Sequence, residues 1–189
     1  MGPSIMSQRL KALVAAGIII REHDASAHSY EYRLTAAGHE LRPLLMQLGT
    51  WGQRWSRSRM GADDLDASFL MWDIRRNLHV DKLPRERVII NFEFPDAKKG
   101  MRQWWLIVDE GEVDLCLEDP GHEVDVSLST ALRTMTQIWM GDMSLVEARG
   151  KGLLRVSGPA RLIRSVGSWL GASPFADVAP ARATVAAAT

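Results

Sequence analysis

One change of period constrains this chain more than any other feature. Up to Leu78, apart from one hairpin-like stretch, the apolar residues recur three to four positions apart, as on helices; beyond Pro84 they fall into short strand-like runs. Such a chain folds as a helical part followed by a part built on a sheet. Gly61, with Asp63 and Asp64 beside it, punctuates the helical stretch and marks a boundary, giving an N-terminal segment over 1–60 and a C-terminal domain over 61–176. At 189 residues and 46% hydrophobic content there is material for packed cores. Residues 177–189, mainly Ala, Val, Pro, Thr and Arg without a usable period, predict a disordered tail.

In the N-terminal segment Met6, Leu10, Leu13 and Val14 predict a helix over 3–16, with Ser4 as N-cap and Gly17 as its stop. The β-branched run from Ile18 and the alternation of Tyr30, Tyr32 and Leu34 predict a β-hairpin. Thr35 then caps a second helix from Ala36 to Arg59, which Pro43 is expected to kink or split. Helix, hairpin, helix is the order of the back half of a winged helix, whose recognition helix enters the DNA major groove while the wing touches the backbone beside it. Ser4, Ser7, Gln8 and Lys11 share one polar face of the first helix, and these are side chains suited to base edges and phosphates. Arg9 lies on neither face cleanly and reads equally as an ion-pair partner or a phosphate contact. In the wing, Arg21, His23, His28 and Arg33 are candidate phosphate contacts. The second helix carries Leu41, Leu44, Leu48, Trp51 and Trp55 as a stripe too large for one hairpin to cover, which predicts a homodimer.

In the C-terminal domain the acids near Gly61 open a helix whose inner face is expected to hold Leu65, Phe69, Trp72 and the stem of Arg76. Strands are predicted at 88–94, 103–108, 112–117, 123–128 and 152–156, the second and third joined tightly through Asp109-Glu110-Gly111. Ser129 or Thr130 caps a helix through Met140, a short helix follows Asp142, and Pro159 opens a last helix ending before Gly171. The class is α+β.

Net charge is zero, yet residues 1–60 hold eight Lys/Arg against four Asp/Glu, and the rest fifteen against nineteen. A basic segment thus precedes an acidic one, which suits a phosphate-facing module followed by something else. The longest apolar-plus-glycine run, Ala12 to Ile20, is far too short to span a bilayer, and the start lacks a signal-peptide pattern. A single cysteine, Cys116, excludes an intramolecular disulfide and a multi-thiolate zinc site, so the expected compartment is the cytoplasm. The five histidines show no metal-ligand spacing, and no nucleophile elbow, P-loop or dinucleotide fingerprint is present. The expectation is a binding protein without cofactor or metal, not an enzyme.

The stretches Pro3 to Leu13 (containing SQRLKAL), Ala16 to Ile19 and Tyr30 to Gly38 (containing YRLTAAG) resemble the HxlR-type winged-helix transcriptional regulators over residues 3 to about 58. The resemblance implies a dimeric regulator whose long second helix packs against its mate. Members of that family carry two or three helices before the recognition helix, and here nothing precedes Met1. Either the start codon is assigned too late, which this reading favours, or the chain is a true truncation; in this chain DNA binding is expected to be weak or lost.

Residues 65–176, through MWDIRRNLHVDKLP at 71–84, the run from Trp104 to Pro159, and Trp169-Leu170, resemble the sterol-carrier-protein fold. That resemblance implies an α/β sandwich with a mainly antiparallel five-stranded sheet around an apolar cavity, and hence a lipid-like or other hydrophobic small molecule as partner. Seven Trp and nine Met suit adaptable walls, although each Trp would serve equally as ordinary core. The expected lining is Trp72, Trp104, Trp105, Met135, Trp139 and Met140. The resulting expectation is a cytoplasmic, DNA-binding regulator that senses a hydrophobic small molecule. The alternative is a carrier of such a molecule whose winged-helix remnant only dimerises.

Overall fold

A computed structural model describes residues 3–24, 29–56, 61, 64–179 and 181. The chain separates into two compact units, Met1–Trp55 and Ser56–Thr189.

The first unit opens with helix α1, Pro3–Ala15. Gly17 ends it in the left-handed region at φ 69°, with the Ile18 N–H donating to the Leu13 carbonyl and the Gly17 N–H to that of Val14. This is the paired bonding of a Schellman cap, the role glycine fills without a Cβ penalty. Strands β1 (Ile19–Asp24) and β2 (Ser29–Leu34) follow as an antiparallel hairpin in register from Ile19 opposite Leu34 to Asp24 opposite Ser29. Thr35 then joins three pieces at once. Its hydroxyl donates to the Gly17 carbonyl at 2.6 Å and accepts the Gly38 N–H at 3.1 Å, capping helix α2, Ala36–Trp55. Gly38 lies so close to the Ile18 carbonyl that any Cβ there would collide with it. The Thr35-Ala36-Ala37-Gly38 run therefore works through backbone proximity. Pro43 does not split α2, which runs through it as one helix and ends at Trp55 rather than Arg59; residues 57–60 lie outside the described ones.

The second unit begins with helix α3, Ala67–Asn77, capped by Asp66, whose carboxylate accepts from the N–H groups of Ser68 and Phe69. The cap sits later than the acids beside Gly61 suggested, and the inner face differs too. Ala67, Leu70, Met71 and Ile74 are buried, while Phe69 is 74% and Trp72 51% exposed. Both sets have helical spacing; the inner one is flanked on each side by other large residues, so periodicity alone pointed to the wrong stripe.

A single 3-10 turn, Val80–Lys82, leads to strand β3 (Val88–Glu93). Then come β4 (Gln103–Asp109), β5 (Glu112–Cys116) and β6 (Val126–Thr130), helices α4 (Leu132–Trp139) and α5 (Leu145–Gly150), β7 (Leu154–Ser157), and helices α6 (Ala160–Arg164) and α7 (Val166–Leu170). The last two divide at Ser165 what the sequence suggested was one helix. The sheet order is β5-β4-β3-β6-β7, and only the central β3–β6 pair is parallel. Glu110 and Gly111, at φ 50° and 89°, make the two-residue turn between β4 and β5, the left-handed pair that matches strand twist.

One face of the sheet carries Ile90, Phe92, Leu106 and Leu128, all fully buried with Met135 of α4 and Trp169 of α7 in a single core. Neither Ser129 nor Thr130 caps α4. Its cap position is Ala131, and the Asp96 carboxylate, 36 residues upstream, accepts the Leu132 N–H at 2.8 Å. Residues 177–179 are described beyond α7; the tail expected to be disordered lies, but for these and 181, outside the described residues.

Candidate functional site

In the first unit, strand alternation sorts the wing's charges onto two faces. Arg21 and its cross-strand neighbour Tyr32 stand on one face, and with Ser7, Lys11, Val14 and Ala15 of α1 they line an open cleft of about 450 Å³. The Arg21 guanidinium lies 3.6 Å from the centroid of the Tyr30 ring. An aromatic face holds a guanidinium in place without neutralising it. His23 meets the same ring edge-on at 5.2 Å. On the opposite face Arg33 lies 3.1 Å from the Glu22 carboxylate and 3.0 Å from that of Glu31. Two carboxylates there outweigh one guanidinium, so the positive side of this hairpin is the one that faces Lys11.

In the second unit, the space between α3 and α4 forms a cleft of about 230 Å³. Its apolar wall is Leu65, Phe69, Leu70, Trp139 and Met140, joined by Thr136; its charged groups are Asp64, Asp66, Asp73 and Arg76. Trp139 is 2% exposed and donates its indole N–H to Asp73 at 2.7 Å. The other oxygen of Asp73 accepts from Asn77 at 3.2 Å and faces Arg76 at 3.4 Å. Asp64 accepts the Gly61 N–H at 2.8 Å. Asp64 and Asp66 are thus fixed in direction by backbone N–H groups that leave their charge in place, while Asp73 is held by Trp139 and Asn77 and faces the Arg76 cation. Among the described residues no group of three His, Cys, Asp or Glu side chains converges as metal ligands, and no helix is long and apolar enough to cross a membrane.

The arrangement of α1, wing and α2 has a counterpart among known proteins. Residues 2–60 match the HxlR-like helix-turn-helix family. No curated protein matches the chain. Among solved structures, the sterol carrier protein 2-like 2 of Aedes aegypti shares 17% identity, covering 53% of this chain and 93% of that one with a TM-score of 0.40. Sterol carrier protein 2 of Yarrowia lipolytica shares 15%, covering 58% and 93% with a TM-score of 0.41. A stereoselective inverting sec-alkylsulfatase of a Pseudomonas species shares 19%, covering 53% of this chain with a TM-score of 0.42; the aligned part is 15% of the sulfatase's length.

Within the first unit, the structure brings Ser7, Lys11 and Arg21 together. Gln8 and Arg9 are exposed on α1 outside the cleft lining, and Arg33 is on the far side of the wing. His28 and the side chain of Ser4 lie outside what is described. Tyr30, which in the sequence serves only as a strand marker, supports Arg21, and Tyr32 lines the cleft beside it. On α2 the stripe of Leu41, Leu44, Leu48, Trp51 and Trp55 is exposed along its length, from 37% at Leu41 to 61% at Leu48.

Of the six lining residues expected in the second unit, Trp139 and Met140 border the cleft. Trp104 and Met135 are packed into the core, Trp104 donating its indole N–H to the Met101 carbonyl. Trp105, next in sequence, is half-buried on the opposite face of the sheet, paired with Cys116. Trp72 stands outward under the Arg75 guanidinium, 5.2 Å from its ring centroid. The cleft residues not among the expected ligand contacts are Leu65, Phe69, Leu70, Arg76, Thr136 and the three aspartates. Asp66 carried a visible signal, since an aspartate directly before a helix is a cap, but nothing in the spacing showed that Asp73 would meet Trp139 across 66 residues.

Proposed function

We propose that this chain is a DNA-binding transcriptional regulator whose second unit binds an apolar small molecule, and that it acts as a homodimer joined through α2. The observation that carries the first part is the cleft where Ser7 and Lys11 of α1 face Arg21 of the wing. Two cations on adjoining elements, one held by a tyrosine ring rather than a carboxylate, suit a phosphate of a duplex whose major groove receives α1. The match of this unit to the HxlR-like helix-turn-helix family supports the same reading.

For the second unit the support is the apolar wall of the α3–α4 cleft together with the resemblance of its sequence to sterol carrier proteins. A partly apolar cleft with a few fixed polar groups is the usual form of a small-molecule site. Dimerisation is supported by the exposed α2 stripe, since contiguous exposed apolar surface of that extent marks an interface. A regulator of this kind works when its effector binds two DNA-affinity states unequally, so the effector must change DNA affinity by the same factor by which DNA changes effector affinity.

Fluorescence anisotropy with labelled duplexes from the upstream region of the chain's own gene tests this reading, run with and without apolar small molecules that shift the melting temperature. The expected result is weak binding to at least one duplex at low salt and a changed affinity when such a compound is present. Binding of no duplex at low salt would contradict regulation and leave the carrier reading in its place.

A further inference from the structure

The α3–α4 cleft joins an apolar wall to an excess of negative charge. Among the described residues three carboxylates, Asp64, Asp66 and Asp73, border it against one cation, Arg76, and α4 contributes no charged group to its lining. Arg76 is already committed, lying 3.4 Å from Asp73. Asp66 spends one oxygen on the two N–H groups that open α3, and Asp64 one on Gly61. Neither of these neighbours carries a charge, so Asp64 and Asp66 keep their negative charge, while that of Asp73 is offset by Arg76. The lining also holds the aromatic ring of Phe69, whose face attracts a cation, and the Met140 thioether, a weak acceptor.

We infer that the small molecule this cleft takes is an apolar cation, an amine or ammonium compound of modest size, and not a fatty acid or other anionic lipid. This inference rests on the reading that the second unit binds an apolar small molecule. An anion entering here would meet Asp64 and Asp66, which Arg76 does not offset, as it lost its water, a cost that a fatty acid's buried chain would have to overcome. An ammonium group would instead sit among oxygens whose directions are preset by the α3 cap and by Trp139, while its apolar part covers Phe69, Leu70 and Met140. The volume of about 230 Å³ suits a single ring or a short chain rather than a sterol.

The test uses three molecules of nearly one shape and different charge: 2-phenylethylammonium, 2-phenylethanol and 3-phenylpropionate. Each is titrated into the full chain while the Trp139 indole N–H resonance, assigned by its loss in Trp139→Phe, reports on the cleft floor and calorimetry gives the affinity. The ammonium is expected to bind up to about fivefold tighter than the alcohol, and the carboxylate weakest, since a single solvent-exposed charge pair is worth up to about fivefold in affinity. In Asp64→Asn/Asp66→Asn, where asparagine still caps the helix, the ammonium's advantage should vanish while the alcohol binds as before. Equal or tighter binding of the carboxylate or alcohol would overturn the inference and leave apolar binding standing. An ammonium preference that persists in the double variant, or binding that does not move the Trp139 resonance, would overturn it as well. If none of the three moves that resonance, both the inference and the ligand-binding reading of this cleft fall.

Discussion

The two units hold themselves together by different means. Among the described residues of the first, Ile19 is the one buried hydrophobic side chain; the second encloses a continuous core of Ile90, Phe92, Leu106, Leu128, Met135, Trp139 and Trp169 with their neighbours. The first is fixed by backbone devices: the Gly17 cap, the hairpin ladder, the Thr35 hydroxyl and the close approach at Gly38. Its apolar residues, Met6 and Leu13 on α1 and the stripe on α2, point outward. A unit built this way presents surfaces for others to cover, whereas the second unit carries its stability inside. Stability and recognition are thus separated along the chain.

The contrast predicts unequal responses to truncation. Phe92→Ala, in the second core, should cost about 3–5 kcal/mol in denaturant unfolding. Leu45→Ala, at 64% exposure on α2, should change monomer stability by no more than about 0.5 kcal/mol. Equal losses would erase the distinction. Gly38→Ala should cost about 1–3 kcal/mol, because the new methyl must displace the Ile18 carbonyl, and the loss should register in hydrogen exchange of the hairpin while the second unit's amides stay protected. Protection lost in both units would show that they unfold as one.

Leu48→Glu/Trp51→Glu should convert a dimer to a monomer in sedimentation velocity with little change in the second unit's melting, since both side chains are exposed within one chain. A wild-type protein that is already monomeric at micromolar concentration would remove the interface assigned to α2. The smallest effect concerns the second unit's surface. The Lys151 ammonium, 2.7 Å from Glu147, holds that carboxyl below its ordinary range. A depressed folded-state value means the pair stabilises above the ordinary carboxylate range and is lost as pH falls through the folded value. Lys151→Gln should let Glu147 titrate higher in a carbon-detected NMR titration, and an unchanged midpoint would show that the ion pair does not persist in solution.

Much of this was legible in sequence where a local rule decides. Gly17 as a helix stop, Thr35 as a cap, Asp109 to Glu112 as a tight turn and the five strands each follow from a few neighbouring residues, and so does the α+β class. What was not legible depends on partners distant in the chain. Asp96 caps α4 in place of Ser129 or Thr130, and Asp73 meets Trp139, both by contacts that no spacing encodes. The adjacent pair Trp104-Trp105 shows the limit plainly: successive strand residues must face opposite sides, so both could never line one cavity. On α3 two stripes of helical period overlap, and the one bearing Phe69 and Trp72 faces outward, with Phe69 and Arg76 bordering the cleft instead of entering the core, while Leu65, ahead of the helix, borders the cleft and packs against the core. On the wing, the alternation that separates Arg21 from Arg33 was readable, but the two carboxylates beside Arg33 and the ring beneath Arg21 were not.

The most direct test is the salt dependence of duplex binding by the wild type, Lys11→Ala/Arg21→Ala and Arg33→Ala, each measured from low to moderate salt. Removing a cation that neutralises a phosphate should lower the magnitude of the slope of log affinity against log salt by about one. The expected result is a drop of about two for Lys11→Ala/Arg21→Ala and almost none for Arg33→Ala, whose charge is already matched by Glu22 and Glu31. A slope that falls for Arg33→Ala and stays unchanged for Lys11→Ala/Arg21→Ala would place the nucleic acid on the other face of the wing and contradict the assignment of this cleft.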